Sequence, residues 1–180
     1  MKWQTLKSET VFENDWIRVN DDRVENPRGG ENAYGWVHFK NRAIAVLPLD
    51  EKGNTWLVGQ QRYTLDDYSW ELPMGGAAAD ELSVDAAKRE LREETGLIAS
   101  ELNPILRLHT SNSITDEIAE VFVAYGLTEQ APEPDATEVL QVKKLPLPEA
   151  IGMAQRGEIT DAISVAALFH VGMLVASAQP

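Results

Sequence analysis

Apolar residues recur along the chain with two different periods, and the places where the period changes divide it into elements. Residues 10–20 and 22–26 alternate apolar with polar positions on either side of the polar step Asp21-Asp22, the pattern of two antiparallel strands. Pro27-Arg28-Gly29-Gly30 reads as a turn, and residues 34–39 alternate again as a third strand. Residues 1–40 are therefore expected to form a small antiparallel sheet ahead of the main fold. Such a sheet is poorly buried alone, so Trp16, Tyr34, Trp36 and Phe39 need cover from the rest of the chain or from a second subunit.

Residues 42–49 and 55–60 are apolar on both faces and joined by Asp50-Glu51-Lys52-Gly53-Asn54, which predicts a buried hairpin. Residues 70–73 read as a short strand. The period then lengthens: Val84, Ala87 and Leu91 make one helical stripe over residues 84–95, with Ser83 placed as N-cap and Gly96 where the left-handed C-terminal residue belongs. Strands are expected at 105–110 and 119–127 around a polar loop, 111–117. A second loop at 130–137, carrying Pro132 and Pro134, precedes a strand at 138–145. Residues 146–156 read as a short helix stopped by Gly157, and Asp161 caps a last helix running to about Val175. The expected class is α+β. With 180 residues, 43% of them hydrophobic, the chain suits one well-buried core, and no internal repeat is visible.

The helix at 84–95 also carries the densest chemistry. Gly75, Glu81, Arg89, Glu90, Glu93, Glu94 and Gly96 fall at fixed spacings, and Glu90, Glu93 and Glu94 gather within one turn or so. Their side is expected to lie opposite Val84, Ala87 and Leu91. A charged, solvated helix face accounts for a bare run of this kind; for the whole pattern, a hard divalent cation is the natural compensation, because Mg²⁺ takes carboxylate and carbonyl oxygens and keeps substrate phosphates as further ligands.

Overall charge and composition narrow the partners. The net charge of −13 and the lack of any Lys/Arg run longer than Lys143-Lys144 argue against nucleic acid. No cysteine is present, which excludes disulfide and thiolate chemistry, and no run of about 18 apolar residues offers a membrane span. A cytoplasmic enzyme is the expectation. His38, His109 and His170 have no ligand spacing and are assigned no chemistry.

The stretch from Gly75 to Leu97 resembles the Nudix box at every signature position. The flanks Trp70-Glu71-Leu72-Pro73 and Gln60-Gln61-Arg62-Tyr63 look like the nucleoside diphosphate sugar branch of that family, the ADP-ribose and GDP-mannose pyrophosphatases. The resemblance implies a Nudix-type α/β/α sandwich with a mixed sheet over residues 41–180, and a homodimer formed through the sheet of residues 1–40. It implies Mg²⁺, replaceable by Mn²⁺, on Glu90, Glu93, Glu94 and the Met74 carbonyl, with Arg89 orienting a box glutamate. Gly75 is placed among the substrate-binding residues. Arg62 is placed on the diphosphate, although a solvated surface arginine reads the same way. Trp70 is either a core or a substrate residue, and Glu71 either a partner for a nearby arginine or a substrate contact. Trp16 is placed on the base, from the partner subunit. The general base is expected at Glu138, with Glu133 and Asp135 as substitutes. Where the family's loop carries Pro and Gly before an acidic residue, this chain has Asn112-Ser113-Ile114-Thr115-Asp116-Glu117, which leaves the preferred sugar open. A hydrolase of nucleoside triphosphates or dinucleoside polyphosphates would share the box, and a non-catalytic nucleotide-sugar sensor would share the fold.

Overall fold

The computed structural model describes residues 2–133 and 139–177. The N-terminal sheet has β1 (Gln4–Glu13), β2 (Ile17–Glu25) and β3 (Glu31–Phe39) in the order β1-β2-β3, all antiparallel. Its first reversal falls at residues 14–16 and not at Asp21-Asp22. Asn14 Oδ1 accepts the amides of Trp16 and Ile17 at 2.9 and 2.8 Å, closing the turn with a side chain. Asp22 stays inside β2 because its carboxylate is satisfied there, by Ser8 Oγ at 2.5 Å and Trp36 Nε1 at 2.8 Å.

The segments read as one hairpin belong to two sheets. β4 (Arg42–Pro48) lies in a four-stranded mixed sheet of order β7-β4-β9-β8, with β7 (Met74–Ala77), β8 (Leu97–His109) and β9 (Ile118–Glu129). β5 (Asn54–Arg62) lies in a three-stranded sheet between β10 (Gln141–Pro146) and β6 (Asp67–Glu71). The turn between them explains the separation. Leu49 N still bonds to Ala124 O on β9 at 2.9 Å, while the Asp50 carboxylate takes the amides of Lys52 and Asn54 and swings the chain away. β4 is apolar on both faces because helices cover both. Ala45 and Leu47 pack with α2 (Leu147–Gln155) and α3 (Ala162–Ser177), whereas Ile44 and Val46 pack with α1 (Ser83–Thr95). This is the α/β/α sandwich, with β4 and β9 parallel and the other pairs antiparallel.

Several boundaries depart from the sequence pattern for local reasons. β8 begins directly after Gly96 rather than at 105, and a bulge between Pro104 and Leu106 interrupts its alternation. Ser83 does not cap α1: Leu82 holds the cap position and no side chain bonds there. Gly96 closes the helix as expected, at φ 73°. Asp161 Oδ2 accepts the Ser164 amide at 2.7 Å at the start of α3. β10 begins at Gln141; Glu138 and Asp135, and part of the loop before them, lie outside the described residues. Among the described residues no helix is long and apolar enough to cross a membrane.

Loop 111–117 fastens the N-terminal sheet to the sandwich. Val37 N bonds to Ile114 O at 2.8 Å, Asp116 N to Val37 O at 3.2 Å, and Tyr34 Oη to Ser113 O at 2.5 Å. The Asp116 carboxylate accepts Phe39 N at 2.9 Å and lies 2.6 Å from His38 Nδ1, which gives His38 a structural place. A cavity of about 320 Å³ opens at this junction between Trp3, Tyr34, Trp36 and Ile114.

Candidate active site

α1 puts Ala87, Glu90, Leu91 and Glu94 on one stripe, since positions three and four apart share a helix face. Glu90 and Glu94 are therefore buried beside the apolar residues, 9% and 4% exposed, and not opposite them as the charge pattern suggested. What receives them is β7. A Cβ on Gly75 would collide with the Glu90 carboxyl group, so glycine is the residue that lets this carboxylate lie against the strand. Glu94 Oε2 accepts the Met74 amide at 2.9 Å, one residue earlier. Glu93 stays half-buried at the rim.

Arg89 gathers the box. Its Nε and Nη2 each lie 3.1 Å from a Glu81 oxygen, Nη1 reaches Glu90 at 2.6 Å and Glu93 at 3.1 Å, and Nη2 donates to Gly76 O at 2.9 Å. Glu81 first, then Glu90 and Glu93, raise the guanidinium's pKa against the opposing effect of burial. The same contact, with a smaller opposing effect of burial, lowers that of Glu81. Arg42 steadies the approach to the helix, its Nη2 donating to Glu81 O at 2.6 Å and Ala78 O at 3.4 Å. Glu81 was legible in the motif; Arg42, the first residue of an apolar strand, carried no signal.

Arg62 and Glu71 form the second group. Glu71 is buried and takes Arg62 Nε at 2.9 Å and Nη2 in a forked pair, so it is the partner of an arginine. That pairing raises the Arg62 pKa against burial, with the charges of Asp161 and Glu94 adding to it. Trp70 is on the opposite face of β6 from Glu71. Its ring packs against the core, meets Tyr68 edge-on at 5.6 Å and lies 3.8 Å from Lys143 Nζ. Trp16, 67% exposed, lies in the β1–β2 turn of the N-terminal sheet, which shares no strand with the sheets that carry Arg62, Glu71, Met74 and Gly75. Glu133 pairs with Arg92 at 3.4 Å, and its amide bonds to Glu93 O at 3.0 Å.

Carboxylate oxygens outnumber the one positive charge that Arg89 brings to Glu81, Glu90 and Glu93, and Glu94 adds another beside them. That is the donor chemistry of a hard divalent cation, so these residues fit one. Among the described residues no three such side chains converge on one point as they stand, because Glu90 and Glu93 turn to Arg89.

The NUDIX domain model matches residues 39–168. The chain belongs to the Nudix family. A second model, the nucleoside diphosphate sugar hydrolase N-terminal domain, matches residues 3–37. The chain is 35% identical over 184 residues to an ADP-ribose pyrophosphatase of Mycobacterium tuberculosis, covering 99% of this chain and 87% of that one. It is 32% identical over 170 residues to an ADP-ribose pyrophosphatase of Bacillus subtilis, covering 93% and 91%. A crystal structure of an ADP compounds hydrolase superposes with a TM-score of 0.89 at 23% identity, covering 99% of this chain and 97% of that one, which shows the shared fold. This Nudix chain is accordingly an enzyme, a hydrolase of pyrophosphate bonds.

Proposed function

We propose that this Nudix hydrolase cleaves the diphosphate bond of a nucleoside diphosphate sugar, ADP-ribose foremost, to a nucleoside monophosphate and a sugar phosphate, in a reaction that requires Mg²⁺ and accepts Mn²⁺. The observation that carries the reading is the joining of a complete box to an N-terminal sheet matched as a nucleoside diphosphate sugar hydrolase domain. A hydrolase of triphosphates or dinucleoside polyphosphates would share the box and would not need that sheet.

In this reading Glu90, Glu93, Glu94 and the Met74 carbonyl hold the metal, which when bound neutralises charge on the diphosphate oxygens. Arg89 keeps Glu90 and Glu93 in their orientations, and Gly75 leaves room for the Glu90 carboxylate. Arg62, fixed by Glu71, offers a preoriented cation to a phosphate oxygen of the substrate. Water attacks one phosphorus, the bridging P–O bond breaks, and its electron pair leaves with the departing phosphate. The water's proton passes to a carboxylate, for which Glu138 is our assignment from the family resemblance, with Glu133 and Asp135 next on the same loop. The cytoplasm, where small phosphorylated nucleotides are held, is the matching compartment.

We also assign the enzyme a homodimer. β1 is exposed along its whole length and carries Leu6, Val11 and Phe12, with Trp16 at its end, a stretch of apolar surface that a second copy would cover. The test of the activity is a panel of ADP-ribose, GDP-mannose, other nucleotide sugars, dinucleoside polyphosphates and triphosphates with Mg²⁺. ADP-ribose as the best substrate supports the reading; a triphosphate or dinucleoside polyphosphate preferred over every nucleotide sugar overturns it.

A further inference from the structure

The passage from the three-stranded sheet to the four-stranded one runs through Leu72-Pro73-Met74, and each of these residues is held by a different element. Leu72 N donates to Ser164 Oγ on α3 at 2.9 Å, Pro73 O accepts from Val46 N on β4 at 2.9 Å, and Met74 N donates to Glu94 Oε2 on α1 at 2.9 Å. Proline donates nothing, so the amides on either side of it are the two donors that orient the crossing. Ser164 is the unusual member. It is fully buried in a helix that carries no Asp, Glu, Lys or Arg, and it bonds across 92 positions of sequence to the backbone of Leu72, itself a buried residue. Asp161 fixes the first turn on which Ser164 sits, its Oδ2 accepting the Ser164 amide at 2.7 Å.

We propose that Ser164 is a positioning residue for the metal site: by holding Leu72 it sets the place of Met74, whose amide aims the Glu94 carboxylate and whose carbonyl joins the donor set. This rests on Glu94 and Met74 being metal ligands in the function proposed above. Ser164 touches neither the metal nor the substrate. It acts through three consecutive residues of backbone with little freedom, since Pro73 is buried and bonded to β4. Replacing it by alanine leaves the Leu72 amide without its partner in the core, and the crossing then shifts toward whatever acceptor it finds. Partners bonded directly to a metal ligand are worth about 10- to 100-fold in metal affinity, and Ser164, acting one step further out, is expected at the lower end of that range.

Binding of Mn²⁺ alone, followed by the electron spin resonance signal of the free ion without substrate or turnover, tests this in the full-length protein. Ser164→Ala is expected to weaken Mn²⁺ binding about tenfold. Ser164→Cys, which keeps the volume with a poorer acceptor, should fall between alanine and wild type. Val171→Ala, on the same helix and in the same core, lowers the melting temperature without touching the crossing and should bind Mn²⁺ as wild type does. Wild-type Mn²⁺ affinity in both Ser164 variants, or losses no greater than that of Val171→Ala, overturns the proposal. Glu94→Gln separates the two levels: wild-type affinity in that variant overturns the ligand assignment and the positioning role with it. Loss in Glu94→Gln but not at Ser164 overturns the positioning role alone.

Discussion

The carboxyl group of Glu90 occupies the space that a side chain on Gly75 would take, so a β-carbon there would collide with it. Gly75 does not have a positive φ, so alanine fits the backbone and the conflict is with Glu90 alone. Gly75→Ala should fold, since the displaced group is the far end of a flexible side chain. Displacement of a catalytic group by an ångström or so costs on the order of 10²-fold, and that drop in kcat/KM for ADP-ribose is expected with a melting temperature within a few degrees of wild type. Wild-type turnover in the folded variant would remove Glu90 from the site.

Arg89 reaches Glu81, Glu90, Glu93 and the Gly76 carbonyl from one planar group. A lysine keeps the charge but cannot span those four acceptors. Arg89→Lys is expected to lower kcat by roughly 10- to 100-fold, the usual worth of a ligand-orienting partner. KM for the nucleotide sugar should change little, because Arg89 is assigned to the carboxylates and not to the substrate. A steady-state profile with raised KM and unchanged kcat would place Arg89 on the substrate instead.

The β1 surface gives the assembly prediction. A charge in the middle of an apolar contact costs desolvation on every copy, so Phe12→Glu should shift the protein from dimer to monomer by light scattering. If the dimer uses this face to bring Trp16 to the partner's substrate, Trp16→Ala raises KM for ADP-ribose while leaving the dimer intact. A dimer unmoved by Phe12→Glu contradicts the assignment of this face.

How much of this was readable in the chain differs from element to element. Gly96 and Asp161 announced the end of α1 and the start of α3 because each does its work within a few residues of itself. The box spacing placed Arg89 beside Glu93 for the same reason. By contrast, β4 and β5 looked like a hairpin because apolar runs show burial without showing the partner, and the Asp50 turn sends them into separate sheets. The burial of Glu90 and Glu94 could not be seen from charge alone: it depends on Gly75 and on Met74 from a strand earlier in the chain. Arg62 and Glu71 were legible as candidates, but their pairing needed the β5–β6 register. Ser164 gave no signal, since its acceptor role is fixed only by where α3 packs.

Asp50 supplies a pH prediction away from the site. Burial pushes its carboxyl pKa up, but the Asn54 side chain and amide, Lys144 and the Lys52 amide outweigh that and hold it well below the usual carboxylate range. The folded state therefore stays ionised while the unfolded chain takes up a proton near its ordinary value of about 4. The stability Asp50 contributes is full above that pH and is lost as pH falls toward the lowered folded value. Asp50→Asn should lower the melting temperature at pH 7, with a gap to wild type that narrows between about pH 5 and pH 3. A gap that is constant with pH would show that the charge contributes nothing.

Glu138 is tested by its own variant. Glu138→Gln should lower kcat by ~10²–10⁴ with metal affinity and KM nearly unchanged, the worth of a positioned acid–base group. A loss of only a few-fold moves the role to Glu133, Asp135 or a box glutamate.

The most direct measurement is release of AMP from ADP-ribose at saturating Mg²⁺ by the wild type and by Glu93→Gln and Glu94→Gln, with circular dichroism on the same samples. An amide keeps the shape of the carboxylate and removes its charge, so both variants are expected to fold and to lose at least about 10²-fold in rate, while the wild type yields AMP and ribose 5-phosphate in equal amounts and nothing without a divalent cation. Either folded variant working at a near wild-type rate, or a wild type that hydrolyses ADP-ribose equally well in the presence of chelator, would contradict the assignment of this helix as the metal-binding centre of the reaction.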